Sequence, residues 1–259
     1  MSPVRKWGHG PYSVAVIHGG PGAPGEVAPV ARELSALRGI LEPFQKETTL
    51  DGQVQELRLS LVENCQTPVV LVGFSWGAYL SWLTAARYPD LVKKLILVSC
   101  PPFEEQYAAA ITQTRMKRLK KKEREEAQAL LAKLSDPAVA EKNPLLVKLG
   151  NLLAIADAYD SMHPDDEGFH CEYDIFRGVW DEACELRRNQ ILLQMAKAIQ
   201  CPVVAIHGDT DPHPAEGVND PLARELSDFR FVLLEKCGHR PWIERHAAEE
   251  FFRVLVKEI

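Results

Sequence analysis

One short segment restricts the possible folds of this chain more than any other, the sequence GFSWG at residues 73–77. An apolar run, PVVLVG (68–73), leads into it, and a helical pattern, WGAYLSWLTAARYP (76–89), follows it. The pattern G-x-S-x-G between a strand and a helix is typical of a sharp turn that exposes a serine hydroxyl at the carboxyl end of a sheet. Small residues on either side of the serine let neighbouring backbone pass. The segment therefore predicts an α/β sheet with Ser75 as a candidate nucleophile.

Apolar strands and amphipathic helices alternate over much of the chain. The predicted strands are SVAVI (13–17), GILEPF (39–44), TPVVLVGFS (67–75), KKLILVS (93–99), CPVVAIHG (201–208) and FRFVLLE (229–235), and the predicted helices lie at 26–37, 50–65, 76–89, 215–226 and 241–257. Nearly continuous apolar strands that alternate with helices indicate a mostly parallel sheet with helices on both faces.

Residues 101–199 interrupt this alternation. Helical stretches dominate there, around 104–134, 144–160 and 180–199, and the segment has no clear strand pattern. Because it lies between two predicted strands, we interpret it as a helical insertion into a core formed by residues 1–100 and 200–259. Its charges are unevenly spread, with seven basic residues in RMKRLKKKEREE (115–126), which is typical of a solvated helix face.

Composition argues against several classes of function. The formal net charge is −6, which disfavours nucleic acid and anionic membranes as partners, because both favour a basic protein surface. No window approaches the roughly 20 apolar residues of a membrane span, and the first residues lack the apolar run of a signal peptide. The six cysteines include no CxxC pair, so we expect free thiols in a reducing cytoplasm and no zinc site.

A serine hydroxyl becomes a useful nucleophile only when a neighbouring base takes its proton. On this type of sheet the acid and the base follow the serine in chain order, at the ends of later strands. Asp209 and Asp211 follow the strand CPVVAIHG, and His239 follows the last strand. We choose Asp211 as the acid, because the turn after Gly208 allows it to be lifted toward the histidine. Asp209 is expected to brace the loop instead.

A second loop, HGGPG at residues 18–22, follows the first apolar strand. A serine mechanism forms an oxyanion, which requires two backbone N–H donors aimed at the developing charge. We expect one donor to be the Trp76 amide and the other to be the Gly20 amide, with Gly19 as the second choice. Glycine lets the backbone approach the substrate closely, and Pro21 stiffens the turn.

Three further histidines lie near these loops. His18 sits beside the oxyanion loop and is expected to orient it, whereas His213 follows the acid by two residues and is expected to line the substrate pocket. An alternative interpretation takes His207, Asp209, Asp211 and His213 as metal ligands, since alternate residues of a strand share a face. That pattern is loose, and we predict no metal.

Three motifs carry a resemblance to a known family, namely HGGPG (18–22), GFSWG (73–77) and GHRPWIE (238–244). Together they resemble the α/β-hydrolase family, and within it the proline iminopeptidase branch. The resemblance covers most of the chain outside residues 101–199. It implies that Ser75, Asp211 and His239 form a catalytic triad under a helical cap, with no metal or organic cofactor. The leading antiparallel strands of that branch are either missing here or reduced to residues 3–7.

In the proline iminopeptidases, carboxylates of the cap, and one beside the catalytic acid, hold the free amine of the substrate. The residue after Asp211 is Pro212 rather than a glutamate, so this chain departs from that pattern. The candidate carboxylates in the cap are Glu172, Asp174, Asp181 and Glu182. The predicted substrate-binding residues are His18, Glu172, Asp181 and His213.

These features predict a serine hydrolase that acts on an ester or amide of a small molecule or short peptide, with aminopeptidase activity as the narrower expectation. The same triad also serves carbon–carbon bond hydrolysis of a diketone, which is one alternative. A second alternative is a ligand-binding protein that keeps the fold without turnover. Serine at the nucleophile position argues against epoxide hydrolase and dehalogenase chemistry, which this fold performs with an aspartate. The oligomeric state stays open.

Overall fold

The computed structural model describes residues 3–162 and 171–259. Within these two ranges the chain forms seven β-strands and eleven α-helices. The strands are β1 Val4–Trp7, β2 Tyr12–Ile17, β3 Gly39–Pro43, β4 Val69–Phe74, β5 Val92–Val98, β6 Val203–Gly208 and β7 Phe229–Leu234. The helices are α1 Ala28–Leu34, α2 Leu50–Asn64, α3 Trp76–Arg87, α4 Glu105–Ala108, α5 Ile111–Arg118, α6 Lys121–Ser135, α7 Asn143–Asp157, α8 Tyr173–Arg188, α9 Ile191–Gln194, α10 Glu216–Glu225 and α11 Ala248–Glu258. Residues 163–170 of the predicted cap lie outside the described residues.

The strands of the described residues form one sheet in the order β1-β3-β2-β4-β5-β6-β7. Strand β1 pairs antiparallel with β3, and every other neighbouring pair is parallel. The prediction of a mostly parallel sheet is therefore confirmed, and a short antiparallel strand stands at its edge. Parallel pairing brings the carboxyl ends of β2, β4, β6 and β7 to one side of the sheet, where an open α/β fold binds its ligands.

Helices cover both faces of the sheet, and successive residues of a strand point to opposite faces. In β2, Val14 and Val16 pack with α1 and α11, whereas Ala15 and Ile17 pack with α2 and α3. Full burial of a valine or isoleucine side chain contributes about 1.5–3 kcal/mol, so these layers stabilise the sheet strongly. The loops at the strand ends therefore start from a rigid base.

The residues between β5 and β6 are helical in both described stretches, from α4 to α9. The helix expected near 104–134 is divided into three, and α6 begins where the Lys120 amide donates to the Glu123 carboxylate at 2.9 Å. Helices α5, α6 and α7 enclose a smaller apolar cluster that also includes Ala23 and Cys171. Helix α8 packs against this cluster through Phe176 and on the main core through Val179, and α9 packs on the main core through Leu192. The division of the chain into a core and a cap stays a prediction.

The last helix begins later than predicted. Helix α11 starts at Ala248, and a 3₁₀ turn at Pro241–Ile243 precedes it. Between the two lies Glu244, which is fully buried, and its carboxylate accepts hydrogen bonds from distant backbone. Residues 241–247 therefore precede the helix, and Glu244 is placed among backbone amides instead of in its first turn.

All six cysteines are unpaired, as the sequence predicted. Three of them, Cys100, Cys171 and Cys237, are buried, and burial raises the pKa of the Cys171 thiol to about 12.

Among the described helices, none has the length and apolar character to cross a membrane.

Candidate active site

Ser75 lies on the turn between β4 and α3, with backbone angles of φ 50° and ψ −117°. A positive φ is uncommon for a residue with a side chain, and such strain clusters at functional sites. A Cβ atom on Gly73 would lie 2.3 Å from the carbonyl oxygen of Gly77, and one on Gly77 would lie 2.4 Å from that of Ile17. Both glycines of the motif are therefore required by close backbone approach, as the sequence predicted.

The predicted nucleophile, base and acid are joined by hydrogen bonds. His239 follows β7, and its Nε2 lies 3.0 Å from Ser75 Oγ. Its Nδ1 lies 2.6 Å from Oδ2 of Asp211, which follows β6. Asp211 and His239 are both buried, at 7% and 8% exposure. The structure thus brings together all three residues that the sequence selected.

The environment of these two residues favours a charged pair. Burial by itself would raise the pKa of Asp211, but the charges and hydrogen bonds of His239 and His213 outweigh it and hold that pKa well below its usual value. Burial would also lower the pKa of His239, but the carboxylate of Asp211 raises it above the ordinary value of 6.5. The carboxylate is therefore ionised, and the imidazole takes up a proton readily.

A second histidine shares the same carboxylate. Asp211 Oδ1 accepts hydrogen bonds from the backbone amide and from Nδ1 of His213, both at 2.9 Å. Burial lowers the pKa of His213 to about 4, so its ring is neutral at neutral pH, with the proton on Nδ1. The ring centroids of His213 and His239 are 4.6 Å apart, and His213 lines the cavity, as predicted. His207 supports this turn from below, because its Nε2 lies 2.8 Å from the His213 carbonyl oxygen.

The potential metal ligands that lie close together in the structure are not the four residues that the sequence suggested. Asp211, His213 and His239 have ligand-type atoms within 4.8 Å of one another. Both Nδ1 atoms in that group already face Asp211 oxygens at hydrogen-bond distance. Asp209 is turned away, and its Oδ1 accepts the Cys237 amide at 3.0 Å. Asp209 therefore braces the loop, and Asp211 faces the histidine.

The loop HGGPG lies beside Ser75 with its own hydrogen bonds. Nδ1 of His18 donates to the Gly19 carbonyl oxygen at 2.7 Å, and the Ala23 amide donates to that of Gly20 at 2.9 Å. In the part of the chain that the structure describes, the Gly20 amide has no acceptor. The Trp76 amide belongs to the first turn of α3, where N–H groups have no partner within the helix. Gly20 and Trp76 line the same cavity as Ser75.

This cavity has a volume of about 1190 Å³. Its floor is polar and carries Ser75, His213, His239, Glu26 and Arg240. Its walls are mainly apolar and come from α6, α7 and α8, with the side chains of Leu131, Leu134, Leu146, Leu149, Leu153 and Phe176. A volume of this size lies slightly above the roughly 300–1,000 Å³ that is typical of small-molecule sites.

Three of the predicted substrate-binding residues have other surroundings. His18 is fully buried and lies outside the described wall of the cavity, so its contact is with the loop. Glu172 lies on a separate cavity of about 480 Å³ and accepts from Asn143 at 3.1 Å. Asp181 is on the wall, but its side chain is 69% exposed and pairs with Arg177 at 3.6 Å.

The other two candidate carboxylates are also remote from the floor. Glu182 accepts the Leu50 amide at the start of α2, at 3.1 Å, and Asp174 is exposed in the first turn of α8. Helix α8 turns its apolar face to the core. The role of these four carboxylates in holding a substrate amine stays a prediction.

The loop that carries His239 is tied to the end of α7. The His239 amide donates to the Asp157 carbonyl oxygen at 2.8 Å, and the Asp157 carboxylate binds Arg115 through two bonds of 2.7 and 2.6 Å. Glu244 accepts the amides of Tyr159 at 2.8 Å, Asp160 at 2.7 Å and Gly238 at 3.0 Å. Sequence reasoning missed these residues. For Glu244, the available signal was a glutamate five residues after the candidate base.

A mostly parallel sheet with a serine on the strand–helix turn after β4 and a histidine after the last strand defines the α/β-hydrolase fold class. The chain belongs to the alpha/beta hydrolase family, whose family model matches residues 7–254. No curated protein matches the sequence.

Solved structures share this fold over nearly the whole chain. VinJ is 18% identical with a TM-score of 0.69, and the match covers 98% of this chain and 93% of that chain. A monoacylglycerol lipase from Paleococcus ferrophilus is 18% identical with a TM-score of 0.66, over 99% and 97%. A thermophilic esterase from Thermogutta terrifontis is 18% identical with a TM-score of 0.64, over 98% and 93%. The narrower resemblance to proline iminopeptidases stays a prediction.

Proposed function

We propose that the protein is a serine hydrolase that cleaves an ester through an acyl-enzyme intermediate. The observation that carries this proposal is the unbroken series of hydrogen bonds from Ser75 Oγ to His239 at 3.0 Å and from His239 to Asp211 at 2.6 Å. Acyl transfer needs a hydroxyl nucleophile, a base in contact with it and a carboxylate that orients the base. The three residues fit these parts in kind, order and distance.

In the proposed reaction, Nε2 of His239 takes the hydroxyl proton while Ser75 Oγ attacks the substrate carbonyl carbon. Asp211 keeps the other ring proton on Nδ1 and stabilises the imidazolium. His239 then gives its proton to the leaving alcohol as the bond between the acyl carbon and the leaving oxygen breaks. A water molecule, deprotonated by the same ring, attacks the acyl-enzyme. The acid leaves, and the proton returns to Ser75.

The amides of Gly20 and Trp76 are the proposed donors to the oxyanion. Both residues line the cavity beside Ser75, and both amides lack an acceptor within their own element. One such donor typically lowers the barrier by about 3–4 kcal/mol. The rigid loop and the helix start hold these donors in place before the substrate binds.

An apolar ester fits the cavity better than a free amine. Leucine side chains of α6 and α7 form much of its wall, and apolar surface removed from water contributes roughly 25 cal/mol per Å². Two carboxylates are expected to hold an amine. Glu172 lies on another cavity, and Asp181 is exposed and paired with Arg177. We therefore rank ester hydrolysis above aminopeptidase activity. Carbon–carbon hydrolysis and ligand binding without turnover stay as alternatives that the same experiment separates.

The experiment compares turnover of p-nitrophenyl esters with that of prolyl and alanyl arylamides, with Ser75→Ala as the blank. Ester turnover that is lost in the blank supports the proposal, and faster arylamide turnover would favour the aminopeptidase. Labelling with a serine-directed phosphonate is the second measurement. Labelling without turnover of either substrate would favour carbon–carbon hydrolysis, and no labelling would favour a binding protein.

A further inference from the structure

Glu26 is a carboxylate of the cavity floor that takes no part in the proton transfers of the proposed reaction. It follows the HGGPG loop by four residues, and its side chain turns back toward that loop. Its Oε2 lies only 2.6 Å from the place that a Cβ atom on Gly19 would occupy. The Gly19 amide donates a hydrogen bond to the carboxylate. The side chain therefore contacts the peptide directly before Gly20.

This contact bears on which amide of the loop is available to a substrate. The carbonyl oxygens of Gly19 and Gly20 are bound by His18 Nδ1 and the Ala23 amide, and the Gly19 amide is bound by Glu26. Among the described hydrogen bonds of the loop, the Gly20 amide has none. Glu26 thus removes Gly19 from the choice of oxyanion donors and leaves Gly20.

The same carboxyl group belongs to the electrostatic surroundings of the proposed base. Burial raises the pKa of Glu26, and the positive charges of Arg240 and His239 oppose that rise, while Asp157 adds to it. His239 is faced by Asp211 and His213 from the loop after β6, by Asp157 from α7, and by Arg115 from α5. Glu26 follows the oxyanion loop and lines the same cavity as His239.

We propose that Glu26 is a positioning residue for this reaction: it fixes the Gly19 peptide so that the Gly20 amide faces the oxyanion, and in its ionised form its carboxylate stabilises protonated His239. This inference rests on the proposed function. The two effects depend on different properties of the side chain, because the first needs an acceptor oxygen and the second needs a charge. Glu26→Gln keeps the first and removes the second, whereas Glu26→Ala removes both.

The test measures kcat and KM for a p-nitrophenyl ester from pH 5 to pH 9 in the wild type, Glu26→Gln and Glu26→Ala. We expect Glu26→Ala to lower kcat about 10- to 100-fold with KM within about twofold, because an oxyanion donor acts on the transition state. We expect Glu26→Gln to retain kcat within about threefold at the alkaline plateau. Its acid limb shifts to lower pH by at least about 0.3 units, since loss of a nearby anion lowers the pKa of His239.

Glu33→Gln is the matched control, because Glu33 is an exposed carboxylate of α1 and its replacement changes the net charge equally. It is expected to leave the kinetics and the pH profile unchanged. Equal losses of kcat in both Glu26 variants with an unmoved acid limb would reduce Glu26 to a structural residue and overturn the proposal. An unchanged kcat in Glu26→Ala would also overturn it.

A measurement without turnover keeps this test separate from the proposed function. The pKa of His239, followed by NMR of its ring protons, is expected to be lower in Glu26→Gln than in the wild type, while that of Glu33→Gln is unchanged. An unchanged His239 pKa contradicts the electrostatic part even if no substrate is found. Turnover that survives in Ser75→Ala contradicts the proposed function instead. Thermal unfolding of each variant confirms that the comparison is made on folded protein.

Discussion

The strand-end loops that hold Ser75, Asp211 and His239 are built differently from helices α5 to α7 beside them. In the loops, one added atom would disrupt the backbone conformation, because a Cβ atom on Gly73 would lie 2.3 Å from a carbonyl oxygen. In the helices, many leucine contacts share the task, as in the cluster that includes Leu134, Leu146 and Leu149. If the proposed function holds, the chemistry depends on a few irreplaceable groups, whereas substrate choice depends on many exchangeable ones.

The largest effect is expected in the loops. Ser75→Ala and His239→Ala each remove a part of one reacting unit, so each should lower kcat by at least about 10⁴-fold, with little further loss in the double variant. Ester hydrolysis under saturating substrate checks this. A variant of either residue that keeps a tenth of wild-type kcat would contradict the proposed roles. Additive losses in the double variant would mean that the two residues act separately.

The connection between loops and helices is tested by Glu244→Ala. The change leaves the amides of Tyr159, Asp160 and Gly238 without their carboxylate, and each buried unsatisfied group costs about 1–3 kcal/mol. We expect a loss of roughly 2–4 kcal/mol in the free energy of unfolding by urea, and about a tenfold lower kcat. Glu249→Ala, an exposed carboxylate of α11, is the control. A normal kcat at a temperature where the variant is fully folded would mean that the His239 loop is held by other contacts.

A smaller effect, selective for the substrate, is expected in the helices. Leu149 is buried at 5% exposure on α7 and lines the cavity. Leu149→Trp should fill that space and lower kcat/KM for octanoyl and longer p-nitrophenyl esters about 5- to 10-fold, or about 1–1.4 kcal/mol. The acetyl ester in the same variant is the internal control and should change less than twofold. Equal losses for short and long esters would indicate a general disturbance of the site.

The smallest effect is expected at Asp181, an exposed residue of the cavity wall. Asp181 is 69% exposed and pairs with Arg177, so Asp181→Asn should change KM by less than about twofold for esters and for alanyl arylamides alike. A selective rise in KM for the arylamide would restore the amine-binding role that the sequence suggested. Parallel assays of both substrates make that distinction.

Sequence patterns reached the parts of the site that are encoded locally. The turn around Ser75 is recognisable in the sequence because it needs glycine at fixed positions. Asp211 and His239 follow strands that end in recognisable loops. The sheet was predictable for the same reason, since its strands are apolar along most of their length. The sequence already ranked Gly20 above Gly19 as the oxyanion donor, and the contact with Glu26 supports that ranking.

Sequence patterns did not identify the residues whose role depends on tertiary packing. Glu26 and Glu244 resemble ordinary surface glutamates in the sequence, and only the fold turns their carboxylates toward backbone amides. The sequence also left open which carboxylates of α8 line the cavity. Helical spacing does not show which face of a helix lies toward the site. In the structure, α8 packs Val179 against the core.

The hydrogen bonds around Glu244 also set a rule for exchanging parts between relatives of this protein. Segment 157–162 contributes backbone to the loop of His239, so it belongs to the framework of the candidate site although it lies among the helices. A chimera that receives foreign residues 105–156 and keeps 157–162 would preserve those bonds. A chimera cut after residue 162 would import a foreign backbone against Glu244 and Gly238. The natural seam for recombination therefore falls at the end of α7.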